Sequence, residues 1–250
     1  MTKKEIYNYW NDRTPYTWGN YEDMRKLRYE LQDYMFDTFK FSDFKGKKVL
    51  EIGCGSGIDS AEFAKHGAEV YSVDMTDKAV NHTKKLFKQL KLKGEISKAV
   101  ASDLPFQNDF FDLVYSYGVL HHIPYPERAL EEIHRVLKPK GKCYAMLYHK
   151  DSLLYYYSVL YLGGVVFNCF KNGLSEKEVL AKYSEGKMGN PYSRVYTKDE
   201  AKRLFYTSGF NNITVEVKYP MIDTTTERKV RIPNLPSNLG WHLIVKSQKG

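Results

Sequence analysis

The sequence predicts an α/β fold: a doubly wound, mainly parallel seven-stranded sheet with an N-terminal helical cap and a second helical cap inserted after the fifth strand. Three observations carry this. Short apolar runs alternate with amphipathic stretches from Lys47 to Leu147. The first run ends in a glycine-rich turn, VLEIGCGSGIDS at Val49–Ser60, and a nearly uncharged segment, LLYYYSVLYLGGVVFNCF at Leu153–Phe170, later interrupts the alternation. At 250 residues, 42% hydrophobic and 27% charged, the chain can bury a full core, and this length suits one elaborated domain.

Each element follows from local pattern. The N-terminal stretch is rich in aromatics (Tyr7, Tyr9, Trp10, Tyr16, Trp18, Tyr21) and is interrupted by Pro15 and Gly19, which suits a folded-over cap. Met24, Leu27, Leu31 and Met35 recur at three- and four-residue steps, predicting one amphipathic helix running to about Phe39. From Lys48 to Ile52 the run is short, apolar and followed by glycines, as a buried parallel strand would be. A helix over Ser60–His66, a strand over Glu69–Val73 and a helix over Asp77–Leu90, with Asp77 placed to cap it, come next. Strands near Ile96–Ala101 and Phe111–Ser116, a helix over Pro126–Leu137 and a strand over Lys142–Leu147 continue the pattern. Alternation of this kind implies right-handed crossovers and a sheet covered on both faces. Beyond the inserted segment, a helix from Thr197 to Gly209 precedes strands over Ile213–Lys218 and His242–Lys246, expected to pair antiparallel at one edge. The expected organisation is therefore a single domain over 1–250, with a cap over 1–45, a core over 46–150, the inserted cap over 151–196 and a closing helix and strands over 197–250.

Composition narrows the partners. The net charge is +8 and the pI about 9.1, with lysines at Lys84, Lys85, Lys88, Lys91 and Lys93. That spacing reads as a solvated helix face, and no aromatic-basic motif accompanies it, so nucleic acid is not the expected partner. Cys54, Cys143 and Cys169 show no ligand spacing, which predicts free thiols and no metal. The start, MTKKEIYNYW, has no secretory pattern, and a cytoplasmic protein is the expectation.

A strand, a glycine turn and a helix bring backbone N–H groups close to a polar or anionic ligand. Gly53 and Gly55 fit the dinucleotide fingerprint, but its sixth position is Ile58, and the third glycine arrives early as Gly57. Asp74, ending the second strand, can accept hydrogen bonds from both hydroxyls of a ribose, and Asp103, after the third, can accept one from an adenine amino group. The series VLEIGCGSG, VYSVDM, SDLPFQNDFFDLVYSYGVLHHI and RVLKPKGK, in order between Lys47 and Leu147, closely resembles the class I S-adenosylmethionine-dependent methyltransferases, in particular the type 11 group that includes quinone C-methyltransferases. The resemblance implies a Rossmann-like methyltransferase fold with S-adenosyl-L-methionine as cofactor. It places the methionine moiety against Gly53, Gly55 and Gly57, with Glu51 orienting the turn. The ribose falls on Asp74, the adenine between Met75 and Leu104 with Asp103 at its amino group, and Tyr117 beside the sulfonium. Where the family commonly has Pro-Gly-Gly, this chain has Pro139-Lys140-Gly141.

An acceptor is expected over the carboxyl ends of the fourth and fifth strands. His121, His122 and His149 fall there, and an imidazole with a pKa of about 6.5 can act as a base at neutral pH. The chain has Ser116-Tyr117-Gly118-Val119 where methyltransferases of nucleobase amines carry Asn/Asp-Pro-Pro-aromatic, and it has no Pro-Cys nucleophile. The expectation is a small-molecule acceptor, with lipid-like and glycan-linked compounds in view. RNA or protein methylation is the alternative among enzymes, and a catalytically silent cofactor-binding module the alternative outside them. The uncharged Leu153–Phe170 segment is expected to wall the acceptor pocket as a helical cap, with peripheral membrane contact as the other reading. Tyr16 and Trp18 are candidates to close the pocket, and Arg194, in Asn190-Pro191-Tyr192-Ser193-Arg194, to grip an acidic group on the acceptor.

Overall fold

The computed structural model describes residues 3–13, 20–184, 190–223, 229–232 and 236–250. The chain opens with helices α1 (Lys3–Arg13), α2 (Tyr21–Leu31) and α3 (Met35–Phe39). The core then runs β1 (Lys48–Ile52), α4 (Ile58–Lys65), β2 (Glu69–Asp74), α5 (Asp77–Gln89), β3 (Glu95–Lys98), β4 (Phe111–Tyr117), α6 (Pro126–Val136) and β5 (Leu137–His149). A wide π-helix over Leu154–Val166 and α7 (Glu176–Tyr183) follow, then β6 (Val195–Tyr196), α8 (Lys198–Thr207), β7 (Phe210–Lys218), a hairpin of β8 (Met221–Asp223) and β9 (Lys229–Arg231), and β10 (His242–Lys249).

The main sheet has the order β3-β2-β1-β4-β5-β10-β7, with β6 pairing alongside β5. Strands β1 to β5 are parallel, so their carboxyl ends meet along one rim. Alternate side chains build two cores. Val49, Leu113, Tyr115 and Met146 pack with α2, α3, α4 and α5, while Leu50, Ile52, Val114, Ala145 and Leu147 pack against α6 and α8. The amphipathic helices α6 and α8 bury Leu130, Ile133 and Phe205 on that second face.

Four sequence expectations are corrected. The stripe from Met24 to Phe39 is two helices, because the chain turns at Gln32–Tyr34. This turn lets Met35 and Phe39 enter the core, whereas Leu27 and Leu31 stay 52% and 44% exposed. Thr76, not Asp77, caps α5; Asp77 instead accepts a hydrogen bond from Tyr7 Oη at 2.6 Å and pairs with Lys98 at 2.7 Å. The two C-terminal strands do pair, but β10 lies inside the sheet, antiparallel to both β5 and β7, and β7 takes the edge. The sequences explain the order: β10 begins with the buried run His242–Val245, which suits a strand covered on both faces, while NNITVEVK in β7 is largely half-exposed.

The fourth correction concerns the inserted segment. Its π-helix packs on α7 and on β8, and does not form the cavity wall described below. Gly163 and Gly164 are there for close approach: a Cβ would come within 2.6 Å of the Tyr183 ring at the first and 2.0 Å of the Phe170 ring at the second. Among the described residues, no helix is long and apolar enough to cross a membrane. Cys54, Cys143 and Cys169 are buried free thiols. The five lysines between Lys84 and Lys93 are all exposed on α5 and the turn after it.

Candidate functional site

A cavity of about 890 Å³ opens where the carboxyl ends of β1, β2 and β4 meet helices α1 and α2. Its sheet side is made of turns. Gly53 and Gly55 follow β1, Asp74 ends β2 and Met75 follows it, Ala99–Ser102 follow β3, and Tyr117 ends β4 with Gly118 and Val119 beyond it. Backbone conformation explains the glycines. Gly53 has φ +77°, and a Cβ there would lie 2.2 Å from Val119 Cγ2, so only glycine lets the two turns touch. Gly55 has φ +50° and open space where a Cβ would sit, leaving main chain exposed to whatever fills the cavity. Gly57 heads α4, tucked against Thr83 beneath the lining.

Asp74 is the carboxylate of this wall. Its Oδ2 accepts from the Gly55 N–H at 3.1 Å, and its Oδ1 from Thr76 N–H at 2.9 Å and Thr76 Oγ1–H at 2.8 Å. Burial raises its pKa above the ordinary carboxylate value, against these hydrogen bonds. Oδ1 is thereby fully used, while Oδ2 keeps lone-pair capacity for a ligand hydroxyl. Glu51 lies one layer deeper, fully covered, where Ser60 Oγ donates to it and burial pushes its pKa up. It supports the turn from below rather than lining the cavity.

The opposite side is helical. Ile6 and Trp10 of α1, and Met24, Leu27, Arg28, Leu31 and Gln32 of α2 and its turn, line it. The apolar stripe of the expected amphipathic helix is thus largely cavity wall, and periodicity alone does not distinguish a core face from a cavity face. What holds α2 in place is charge. Arg28 makes a two-pronged ion pair with Asp59 of α4, with Nε to Oδ1 at 2.7 Å, and Tyr29 and Tyr115 donate to the same carboxylate at 3.0 and 2.9 Å. Arg25 pairs likewise with Glu62, at 2.5 and 3.1 Å, and Tyr21 Oη donates to Glu62 at 2.9 Å. Asp59 and Glu62 are only 3% and 1% exposed. At the base of this wall Tyr117 Oη donates to Gln32 Oε1 at 2.5 Å and lies 3.1 Å from His242 Nδ1, with Arg28 4.7 Å from its ring centre. Burial raises the Tyr117 pKa well above the ordinary phenol value, so its hydroxyl stays protonated.

The three histidines separate. His122 lines the cavity, with the Trp10 ring centred 4.8 Å away. Its Nδ1 lies 2.8 Å from the Tyr192 carbonyl and 3.2 Å from Ser193 Oγ. A carbonyl only accepts, so Nδ1 carries the proton and the lone pair sits on Nε2. His121 faces away from the cavity, fully buried against Tyr148 at a ring separation of 3.7 Å, and burial holds its pKa well below the ordinary imidazole value. His149 is also buried outside the lining. Its Nδ1 bonds the Gly240 carbonyl at 2.9 Å, and burial lowers its pKa.

Further expected residues fall outside the lining. Leu104 packs into the core beneath the sheet, and Asp103 is exposed in the tight turn that closes on Val100, so Ala101 and Ser102 occupy that stretch of wall. Arg194 is exposed and stacks over the Tyr196 ring at 5.1 Å; its neighbour Tyr192 reaches the cavity. Tyr16 and Trp18 lie outside the described residues. Arg128 on α6, which no sequence motif marks, is a cation at the cavity. Cys54 sits behind the glycine turn, and burial holds its thiol protonated, which does not suit a nucleophile.

Against known proteins, residues 50–145 match the profile of a family described as a methyltransferase domain. The chain is similar to ubiquinone biosynthesis O-methyltransferase of Coxiella burnetii, 30% identical over 141 residues that make up 56% of this chain and 60% of that protein. The chain thus spans about three fifths of the length of that relative. Among solved structures, an S-adenosylmethionine-dependent methyltransferase of Methanosarcina mazei superposes with a TM-score of 0.60 at 22% identity, covering 82% of this chain and 93% of that one. Magnesium protoporphyrin IX methyltransferase of Synechocystis, solved with bound SAH, superposes with a TM-score of 0.63 at 14% identity over 100% of both chains. At these identities the structural likeness carries the fold.

Proposed function

With residues 50–145 forming a class I S-adenosylmethionine-dependent methyltransferase domain of the type 11 group, we propose that the chain methylates a hydroxyl group on a small, largely apolar molecule. The observation that carries this is the shared cavity. One wall has the features a nucleoside cofactor needs, and the rest of the same space is apolar, enclosed by α1 and α2. Its volume of about 890 Å³ lies near the top of the range of roughly 300–1,000 Å³ for small-molecule sites, which leaves room for an acceptor beside the cofactor. The hydroxyl is carried over from the relative named as an O-methyltransferase.

The lining fits S-adenosylmethionine on the features present. The Gly53–Gly55 main chain leaves a cradle free of side chains, Asp74 offers its Oδ2 to a ribose hydroxyl, and Met75 with Ala101 offers an apolar slot to an adenine. When bound, the cofactor supplies an already activated methyl group on a sulfonium. The protein has to align the acceptor, exclude water and remove the acceptor's proton. Leu27, Leu31, Trp10 and Ile123 exclude water. His122 takes the proton at Nε2, since its Nδ1 proton is committed to the Tyr192 carbonyl.

The test is to incubate the protein with methyl-labelled S-adenosylmethionine and a cell extract, then follow the label. The expected label appears in small molecules, and His122→Gln slows its transfer by about 10² to 10⁴ while cofactor binding persists. Label in RNA or protein would replace the acceptor class. Tight cofactor binding with no label in any fraction would mark a silent binding module.

A further inference from the structure

The stretch Asn190–Arg194 is stitched to the residues around His122 at every second step. Asn190 N–H donates to the Ala181 carbonyl at 2.6 Å, the Tyr192 carbonyl takes the His122 Nδ1 proton, and Arg194 N–H donates to the His121 carbonyl at 3.0 Å. Behind Tyr192 lies a closed ring of three buried side chains. Ser193 Oγ donates to Asn190 Oδ1 at 3.1 Å, Asn190 Nδ2 donates to Ser184 Oγ at 2.9 Å, and Ser184 Oγ lies 3.2 Å from Ser193 Oγ. All three residues are at least nine-tenths buried.

The ring has a direction. Ser193 has one hydroxyl proton, and it goes to Asn190, an acceptor at Oδ1 only. Ser184 receives the Asn190 amide proton and returns its own to Ser193. Towards His122, 3.2 Å away, Ser193 Oγ therefore has only a lone pair to offer. Two acceptors, the Tyr192 carbonyl and the Ser193 hydroxyl oxygen, then face the same ring nitrogen.

We propose that Ser193, held by Asn190 and Ser184, is a positioning residue for His122: the ring fixes the Nδ1–H tautomer and so keeps the lone pair, and with it the basicity of the imidazole, on Nε2. The catalytic half of this statement rests on the reading of His122 as base; the tautomer half stands on the hydrogen bonds alone. The arrangement gives the Asn-Pro-Tyr-Ser-Arg stretch a job the cofactor site does not use, and it works through a residue some 70 positions away in sequence. It also explains why a serine and an asparagine are buried here at all, since each is satisfied only if the ring closes.

The test reads the tautomer directly, in the cofactor-free protein. With ¹⁵N-labelled histidine, the neutral His122 ring of the wild type is expected to show a protonated Nδ1 and an unprotonated Nε2. In Ser193→Ala the Nε2–H form should gain about fivefold in population relative to the Nδ1–H form, as losing one hydrogen bond implies. Ser193→Thr should restore the wild-type pattern, and Ser184→Ala, one step further round the ring, should shift it less. Methyl transfer should slow with the shift in Ser193→Ala, while S-adenosylmethionine affinity is unchanged. An unaltered tautomer balance in both serine variants, or a wild-type ring protonated at Nε2, overturns the proposal. If His122→Gln transfers methyl groups at the wild-type rate, the base reading fails separately, whatever the tautomer.

Discussion

The sheet side of the cavity and its helical side are held by different forces. On the sheet side, Gly53, Gly55, Asp74 and Tyr117 each sit at or just past the carboxyl end of a parallel strand, so strand pairing alone brings residues from three turns together. On the helical side, Met24, Leu27 and Arg28 belong to a helix outside the sheet, and α2 is fixed to α4 by Arg25–Glu62 and Arg28–Asp59. The sheet side is a matter of backbone conformation. The helical side depends on buried charges, each of which is costly without its partner. One wall is thus built into the sheet and the other is attached to it.

The largest effect that could break this comparison is at the attachment. Asp59→Asn leaves Arg28 without its counter-charge, and is expected to cost about 3–5 kcal/mol in urea unfolding. A loss under about 1 kcal/mol would mean that the ion pair is not what holds α2. On the sheet side, Gly53→Ala is expected to cost about 1–3 kcal/mol through its φ of +77° and the contact with Val119. Adding Val119→Ala should relieve only the steric part. Full recovery in the double variant would show that packing, not backbone conformation, demands the glycine.

A smaller effect concerns pH. His149 is buried with its pKa lowered by burial, so the unfolded chain takes up a proton at about pH 6.5 where the native state does not. Native stability is then complete above that pH and falls on acidification towards the lowered native pKa, by at most about 1.4 kcal/mol per pH unit for this group. His149→Asn retains a donor for the Gly240 carbonyl and should flatten the pH dependence below 6.5. An unchanged slope would assign the acid sensitivity to other groups.

The same division decided what was legible in the sequence. Gly53, Gly55, Asp74, Met75 and Tyr117 could be read from motifs because each is fixed to the end of its own strand, and all line the cavity. Asp103 and Leu104 do not line the cavity, since the chain closes on Val100 before reaching them. Leu27 and Leu31 were legible as an apolar stripe but not as cavity wall, because hydropathy records what avoids water and not what replaces it. The acidic partners of Arg25 and Arg28 lie more than 30 residues away on another helix, beyond any local pattern. The choice among His121, His122 and His149 was equally out of reach. Two adjacent histidines are both buried with their rings 4.2 Å apart, and it is distant residues, Trp10 and the Tyr192 carbonyl, that mark the one at the cavity.

The central claim is that the Asp74 wall holds a nucleoside cofactor carrying a sulfonium. Calorimetric titration with S-adenosylmethionine and with NAD, on the wild type and on Asp74→Ala, tests it most directly. S-adenosylmethionine is expected to bind, NAD is not, and Asp74→Ala is expected to weaken the former by about 1.5–3 kcal/mol, roughly tenfold to a hundredfold. Binding of NAD instead, or S-adenosylmethionine affinity indifferent to Asp74, would contradict it.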